Sequence, residues 1–287
     1  MDMKVELTNT TKKLCVIGDP VLHSKSPLIH NTMLSALGLD YVYLCQPVPH
    51  GSVEEWLRCA RFAGYAGFNA TMPHKEVLFP LMDETDEDAR LYRAVNTVCI
   101  KDGRVYGYNT DGRGFLRALE DLDTTPEGKN VLLLGAGGAA RAVALKLVQQ
   151  GAKAVFVCNR TVEKAAALCA HDPQGRLAPA GFDSATLHRL AAWADLVVNC
   201  TSLGMEGTQG QFEDLSFLEA LPDGVPVFDL IYAPAETELL RRARELGHPT
   251  ANGLGMLVYQ AVFALEHFTD TRIDAAAMAE VLRRVLT

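Results

Sequence analysis

The chain has 287 residues, of which 48% are hydrophobic and 22% charged, so it can bury one large core or two smaller ones and is not a disordered polymer. Its formal net charge of −8 excludes a general nucleic-acid or anionic-membrane binder, because no surplus of Lys and Arg exists to neutralise phosphates. A small anionic ligand, held by a few local cations, stays compatible with that balance.

In chain order, "KLCVIG" (13–18) reads as the first strand. A polar loop leads into a helix from Pro27 to about Leu37, with Ser26 expected as N-cap and Gly38 just past the end. "YVYLCQ" is the second strand, and the next helix opens at Ser52 with Glu55 three residues on, the spacing of a capping box. "YAGFNA" is the third strand and runs into the polar stretch "TMPHKE". "AVNTVCI" and "RVYGY" flank Asp102-Gly103, a strong hairpin signal. A helix follows Asp111, then the loop "DTTPEGK", and either can hold the boundary between two halves.

A second cycle of strand, glycine turn and helix occupies "KNVLLLGAGGAARAVALKLVQQG" (129–151), followed by the strand "AVFVCNR". Further strands are expected at "DLVVNC" and "VPVFDL", with helices near 184–192 and 236–246. Two closing helices, about 254–268 and 274–286, follow "NGLGM". Short apolar strands alternating with amphipathic helices predict an α/β architecture with mostly parallel pairing. The first residues lack a continuous apolar h-region, and no apolar run of about 18 residues occurs, so a soluble, cytoplasmic protein is expected. The seven cysteines form no C-x-x-C pair and the histidines show no ligand spacing, a pattern of reduced, packed thiols without a metal site.

"GAGGAA" (135–140) is G-x-G-x-x-A after an apolar strand and at the opening of an alanine-rich helix. Gly135 permits the tight turn, Gly137 lets backbone approach a pyrophosphate, and Ala140 permits close helix–sheet packing. Ala136, Gly138 and Ala139 complete the loop. A nucleotide is therefore expected here. Its type follows from the end of the next strand, "CNRTVEK", where a ribose-binding acid would stand in an NAD site. The residues present are Asn159, Arg160 and Thr161, with Lys164 a turn further on. A guanidinium binds a 2′-phosphate through charge-assisted hydrogen bonds of about 1.5–3 kcal/mol each, so NADP is favoured.

Four polar clusters elsewhere lack a packing rationale: "HSKSP" with Ser24 and Ser26, "NATMPHK" with Asn69, Thr71 and Lys75, "AVNT" with Asn96, and "GYNTDG" with Asp111. Each has a dull alternative: a helix cap for Ser26 and Asp111, a turn cap for Asn96, a surface lysine for Lys75. All but Asn96 follow expected strands, and open α/β sheets bind ligands beyond the carboxyl ends of their strands. Hydroxyls, amides, one cation and one carboxylate suit a polyhydroxylated ring rather than an apolar ligand.

With these motifs in family order, together with "GAGGAAR", "NRT" and "NGLGMLVYQ", the chain resembles the shikimate dehydrogenase family from about residue 16 to 260. Departures are small: Ala70 stands where Val is common, and Leu230 where many members carry Met. The resemblance implies an N-terminal α/β catalytic domain (1–111) completed by C-terminal helices (254–287), with a Rossmann-type dinucleotide-binding domain (112–253) between them and the active site in the cleft. It implies reversible reduction of 3-dehydroshikimate to shikimate with NADPH, and a small-molecule enzyme that is a monomer or homodimer. Lys75 and Asp111 would be catalytic, and Ser24, Ser26, Asn69, Thr71, Asn96, Asp111, Tyr232 and Gln260 would hold the substrate. Gly135 to Ala139, Asn159, Arg160, Thr161, Leu230 and Gly253 would hold NADP. Hydride transfer to a ketone generates an alkoxide that must gain a proton, which the Lys75 ammonium can donate. His74 is its rival as acid. A quinate/shikimate dehydrogenase using NAD(P) and a non-catalytic metabolite sensor are the alternatives.

Overall fold

The structure, a computed structural model, describes residues 7–208 and 210–286. It separates into two compact units: the described residues up to Thr110 together with those from Val258 onward, and Asp111–Leu257. Asp111 and the first turn of the penultimate helix thus fold with the second unit.

The first unit runs β1 (Lys12–Gly18), α1 (Ser26–Ala36), β2 (Tyr41–Pro47), α2 (Val53–Phe62), β3 (Tyr65–Ala70), α3 (Lys75–Leu78), β4 (Glu84–Thr85), α4 (Glu87–Tyr92), β5 (Thr97–Lys101) and β6 (Arg104–Tyr108). Among the described residues its sheet has the order β2-β1-β3-β5-β6-β4. Strands β2, β1 and β3 pair in parallel, whereas β3, β5 and β6 pair antiparallel. Central β1 is buried without alternation from Leu14 to Gly18, as a parallel strand covered on both faces must be. On one face Val53, Leu57 and Ala60 of α2 pack with Cys15, Ile17, Phe68 and Val98. The hairpin forms where expected, with Asp102 and Gly103 both at positive φ (49° and 75°), the primed turn that follows strand twist.

Two expected caps take another form. The N-cap position of α1 is Lys25, one residue earlier than expected, and it makes no side-chain cap bond. Instead the Ser24 hydroxyl accepts from the Ser26 N–H at 3.2 Å, because that N–H already lies inside the helix. Ser52 is the N-cap of α2, but its side chain accepts nothing from the first turn, so the capping box is not made. The short pieces α3, β4 and α4 have no counterpart among the elements expected from the sequence.

The second unit runs α5 (Asp111–Glu120), β7 (Asn130–Leu134), α6 (Gly138–Gln149), β8 (Ala154–Cys158), α7 (Val162–Cys169), β9 (Leu177–Ala180), α8 (Ser184–Ala191), β10 (Leu196–Asn199), β11 (Val227–Asp229), α9 (Glu238–Glu245) and β12 (Thr250–Ala251). Its sheet is parallel throughout in the order β12-β11-β10-β7-β8-β9, that of a doubly wound dinucleotide-binding fold. One core cluster joins Leu132, Val197 and Val227 to Leu187 and Leu190 of α8 and Leu239 and Leu240 of α9. Phe115 of α5 meets Phe228 edge-on, with ring centroids 5.2 Å apart.

The chain ends with α10 (Leu254–Thr269) and α11 (Ala275–Leu286). From Val258 onward α10 packs on the first unit's sheet: His267 stacks on Tyr108 at 3.9 Å, and the Cys99 thiol donates to the His267 carbonyl. Phe268 presses so closely on β3 that a Cβ at Gly67 would lie 2.7 Å from its ring and 2.5 Å from the Val98 carbonyl oxygen. Gly67→Ala is therefore expected to destabilise the protein by about 1–3 kcal/mol, seen as a lower urea midpoint at unchanged slope.

Candidate active site

In the first unit the chain leaves β3 through a turn closed by the His74 N–H to the Thr71 carbonyl at 2.9 Å. Backbone bonds hold that turn on both sides: Thr71 N–H donates to Ile17 O (2.9 Å), and Asp19 N–H donates to Met72 O (3.2 Å). Lys75 opens α3, and its carbonyl accepts from the Val95 N–H at 2.8 Å, beside Asn96. Asn69, Thr71, Lys75 and Asn96 are thereby brought to one strand end. His74 is 1% exposed, and its Nε2 donates to the Val48 carbonyl at 2.8 Å. That bond makes His74 a clamp on the β2–α2 loop.

Beneath these residues runs a buried polar ladder. Tyr43 O–H donates to Asn69 Oδ1 (2.7 Å), and Asn69 Nδ2 donates to Thr97 Oγ1 (2.9 Å) and Asn96 O (3.1 Å). Thr97 O–H donates to Asn96 Oδ1 (2.8 Å), and Asn96 Nδ2 donates to Thr110 Oγ1 (3.0 Å). Among the described residues Asn69 Oδ1 accepts that one bond from Tyr43 and keeps a second lone pair. Ser24, Ser26, Thr71 and Lys75 are partly exposed, as is Gln260 on α10. Asp111 is 8% exposed at the first position of α5, and Tyr232 lies three residues after the end of β11; both belong to the second unit.

The second unit builds its own site at the point where strand order reverses, between β7 and β10. Gly135 has φ +104°, and a Cβ there would lie 3.1 Å from the Cys200 carbonyl group and the Thr201 methyl. Only glycine fits. Gly137 is the N-cap of α6 and makes no side-chain cap bond, while Gly138 and Ala139 are exposed beside it. An uncapped helix start with open space over Gly137 and Gly138 leaves N–H groups for an anion, so the loop fits a pyrophosphate. Asn159 Nδ2 donates to the Thr161 carbonyl at 2.8 Å, shaping the turn that presents Arg160, Thr161 and Lys164, all exposed.

Across the sheet, buried Asp229 accepts from Asn199 Nδ2 (2.9 Å), Ile231 N–H (3.0 Å) and Thr237 O–H (2.6 Å). Desolvation raises its carboxyl above the ordinary value against the pull of those donors. Asn199 Oδ1 in turn accepts from the N–H and hydroxyl of Thr201. Leu230 sits between these anchors, and Gly253 passes its carbonyl so closely that no Cβ fits. Burial also pushes the half-buried Cys200 thiol well above the usual range, which disfavours the thiolate.

Sequence reasoning did not single out Tyr43, Thr97, Asp86, Asn199 or Asp229. The one available signal was a polar residue inside an apolar strand, as at Thr97 and Asn199.

A family profile described as "Shikimate dehydrogenase substrate binding domain" matches residues 16–98, one described as "Shikimate / quinate 5-dehydrogenase" matches 118–206, and one described as "Shikimate 5'-dehydrogenase C-terminal domain" matches 253–283. The chain is 41% identical over 271 residues to shikimate dehydrogenase (NADP(+)) of Alkaliphilus metalliredigens, covering 93% of this chain and 94% of that protein. It is 41% identical over 286 residues to the enzyme of the same name from Methanopyrus kandleri, covering 98% of each. Among solved structures, a shikimate 5-dehydrogenase from Thermus thermophilus in complex with NADP(H) and shikimate superposes with a TM-score of 0.81 at 35% identity, covering 95% of this chain and 99% of that one.

Asp86 holds the chain just beyond β6: it caps α4 through the Ala89 N–H (2.8 Å) and also accepts from the Asn109 N–H (3.3 Å). Burial raises its carboxyl from 3.8 to about 6, aided by Asp88 and opposed by those donors and Arg90. The native state thus binds this proton more tightly than the unfolded chain does. Its contribution is most favourable below about pH 4 and is lost as pH rises through about 6. Asp86→Asn keeps an acceptor for the cap without the charge. Unfolding in urea at about pH 4 and about pH 7 is expected to show the variant gaining on the native protein at the higher pH.

Proposed function

The chain belongs to the shikimate dehydrogenase family, and from that premise we propose how its own residues carry the family's reaction. It is an NADP-dependent oxidoreductase that interconverts 3-dehydroshikimate and shikimate. The observation that supports the residue assignment best is the convergence of Thr71, Lys75 and Asn96, tied by the Val95–Lys75 backbone bond, at the carboxyl end of β3.

NADPH supplies the hydride when bound. The ketone oxygen then carries developing negative charge, and the Lys75 Nζ ammonium donates a proton to it. In the oxidative direction the neutral amine takes that proton back. Asp111 is the second residue assigned to this proton transfer, as the acidic companion of Lys75. Ser24, Ser26, Asn69, Thr71, Asn96, Tyr232 and Gln260 hold the ring hydroxyls and carboxylate, for which they offer both donors and acceptors. The first unit is thus the substrate-binding domain. In the second, Gly135 to Ala139 hold the pyrophosphate, Asn159, Arg160, Thr161 and Lys164 the ribose 2′-phosphate, and Leu230 and Gly253 the nicotinamide side.

An absorbance assay at the reduced-nicotinamide band tests the substrate and cofactor together. The highest kcat/KM is expected for shikimate with NADP+; faster oxidation of quinate with NAD+ would overturn the reading. Lys75→Ala is expected to lower kcat by roughly 100- to 10,000-fold with NADP+ binding retained, and single-turnover rates near the native value would make Lys75 a surface residue. Arg160→Ala is expected to raise KM for NADP+ by roughly 10- to 100-fold while leaving KM for NAD+ nearly unchanged, as loss of a phosphate contact requires.

A further inference from the structure

Tyr43 is 1% exposed in the middle of β2 and is fixed from three directions. Asn31 of α1 clamps its backbone, with Nδ2 donating to Tyr43 O (2.8 Å) and Oδ1 accepting from Tyr43 N–H (2.9 Å). The ring lies flat on His30, with centroids 4.1 Å apart and planes 2° apart. Burial lowers His30 to about 3, so that imidazole is neutral, and burial raises the Tyr43 phenol far above its usual range, so its proton stays on oxygen. Among the described residues the hydroxyl has one hydrogen-bond partner, Asn69 Oδ1.

The direction of every bond beyond that point is forced. The Asn96 carbonyl only accepts, so Asn69 must turn its NH2 toward it and its oxygen toward Tyr43. Thr97 Oγ1 receives the other Asn69 hydrogen, so its own proton goes to Asn96 Oδ1. The Thr110 N–H, which only donates, also meets Asn96 Oδ1 at 3.0 Å. The Asn96 NH2 is left facing the Thr110 hydroxyl. No member can flip its amide without placing two acceptors or two donors together in a buried site.

We infer that Tyr43 and Thr97 are positioning residues: the Asn96 carbonyl and the Thr110 N–H set which way the Asn69 and Asn96 carboxamides face, and the Tyr43 and Thr97 hydroxyls hold them in that orientation, and so set how those two amides meet the substrate. The inference rests on the assignment of Asn69 and Asn96 to substrate binding. It adds two residues that touch no ligand and that act through the amides alone.

The test uses the full chain with Tyr43→Phe, Thr97→Val and the double variant. Phe keeps the stack on His30 and the packing volume, and Val keeps the β-branched shape. Each single variant is expected to raise KM for shikimate about three- to tenfold, the range of one or two lost neutral hydrogen bonds, with Kd for NADP+ unchanged. The double variant is expected to be no worse than Thr97→Val, because both hydroxyls act on one relay. Side-chain carboxamide signals of Asn69 and Asn96 in 15N-labelled protein are expected to lose protection from solvent exchange in both singles. Unchanged KM for shikimate, equal rises in KM for shikimate and NADP+, or additive effects would overturn the inference. If the native protein does not turn over shikimate, the functional assignment fails, and the relay is then judged on the carboxamide protection: retained protection overturns it, and lost protection upholds it.

Discussion

A single carboxamide, that of Asn69, ties together the strands on which the first unit's site is built. It joins β2 through Tyr43, β5 through Thr97, and the segment before β5 through the Asn96 carbonyl. A buried amide left without partners costs roughly 1–3 kcal/mol, so every element that reaches it is held to one register. Slipping β3 by one residue against β5 would turn Asn69 to the opposite face and put Phe68 or Ala70 where the hydrogen bonds are needed. The turn carrying Thr71 and Lys75 follows directly from that strand end, so its position inherits the same constraint.

The second unit meets its constraint with backbone rather than side chains. Where β7 and β10 diverge, the chain must pass Gly135 within contact distance of the Cys200 carbonyl group, and α6 must begin without a side-chain cap. The result is a helix start whose first N–H groups no side chain caps, with open space over Gly137 and Gly138. This arrangement also reconciles an acidic protein with an anionic cofactor. The positive end of a helix such as α6 acts within its first turn, inside a Debye length, whereas the net charge of −8 is spread over the whole surface.

Periodicity, turn residues and glycine spacing made much of this legible before any coordinates. The hairpin at Asp102-Gly103, the glycine loop of β7–α6 and the two closing helices all carry local signals, and all stand where those signals put them. What stayed hidden was local but short, or was not local at all. Four-residue α3 and two-residue β4 have too few positions to show a period. Ser26 and Ser52 looked like caps because the residue types fit, yet Ser24 makes the bond at α1 and no side chain makes it at α2. Tyr43 and Thr97 are ordinary strand residues by type; they lie 26 and 28 positions from Asn69 along the chain, a separation no sequence window can register.

Both units place asparagines at strand ends, Asn69 and Asn96 in one and Asn199 in the other, and the chemistry of the amide explains why. A carboxamide donates and accepts at once, so it can receive a bond from one element and pass the next bond on, which neither a carboxylate nor an ammonium can do. The two networks then differ in where they end. In the first, the bonds among Tyr43, Asn69, Thr97, Asn96 and Thr110 join only hydroxyls, amides and backbone groups. The second ends on Asp229, a carboxylate that three donors satisfy and that desolvation still disfavours. With three donors on it, this buried group holds its partners in one arrangement. The partners here are Asn199, Ile231 and Thr237, which fix both flanks of Leu230.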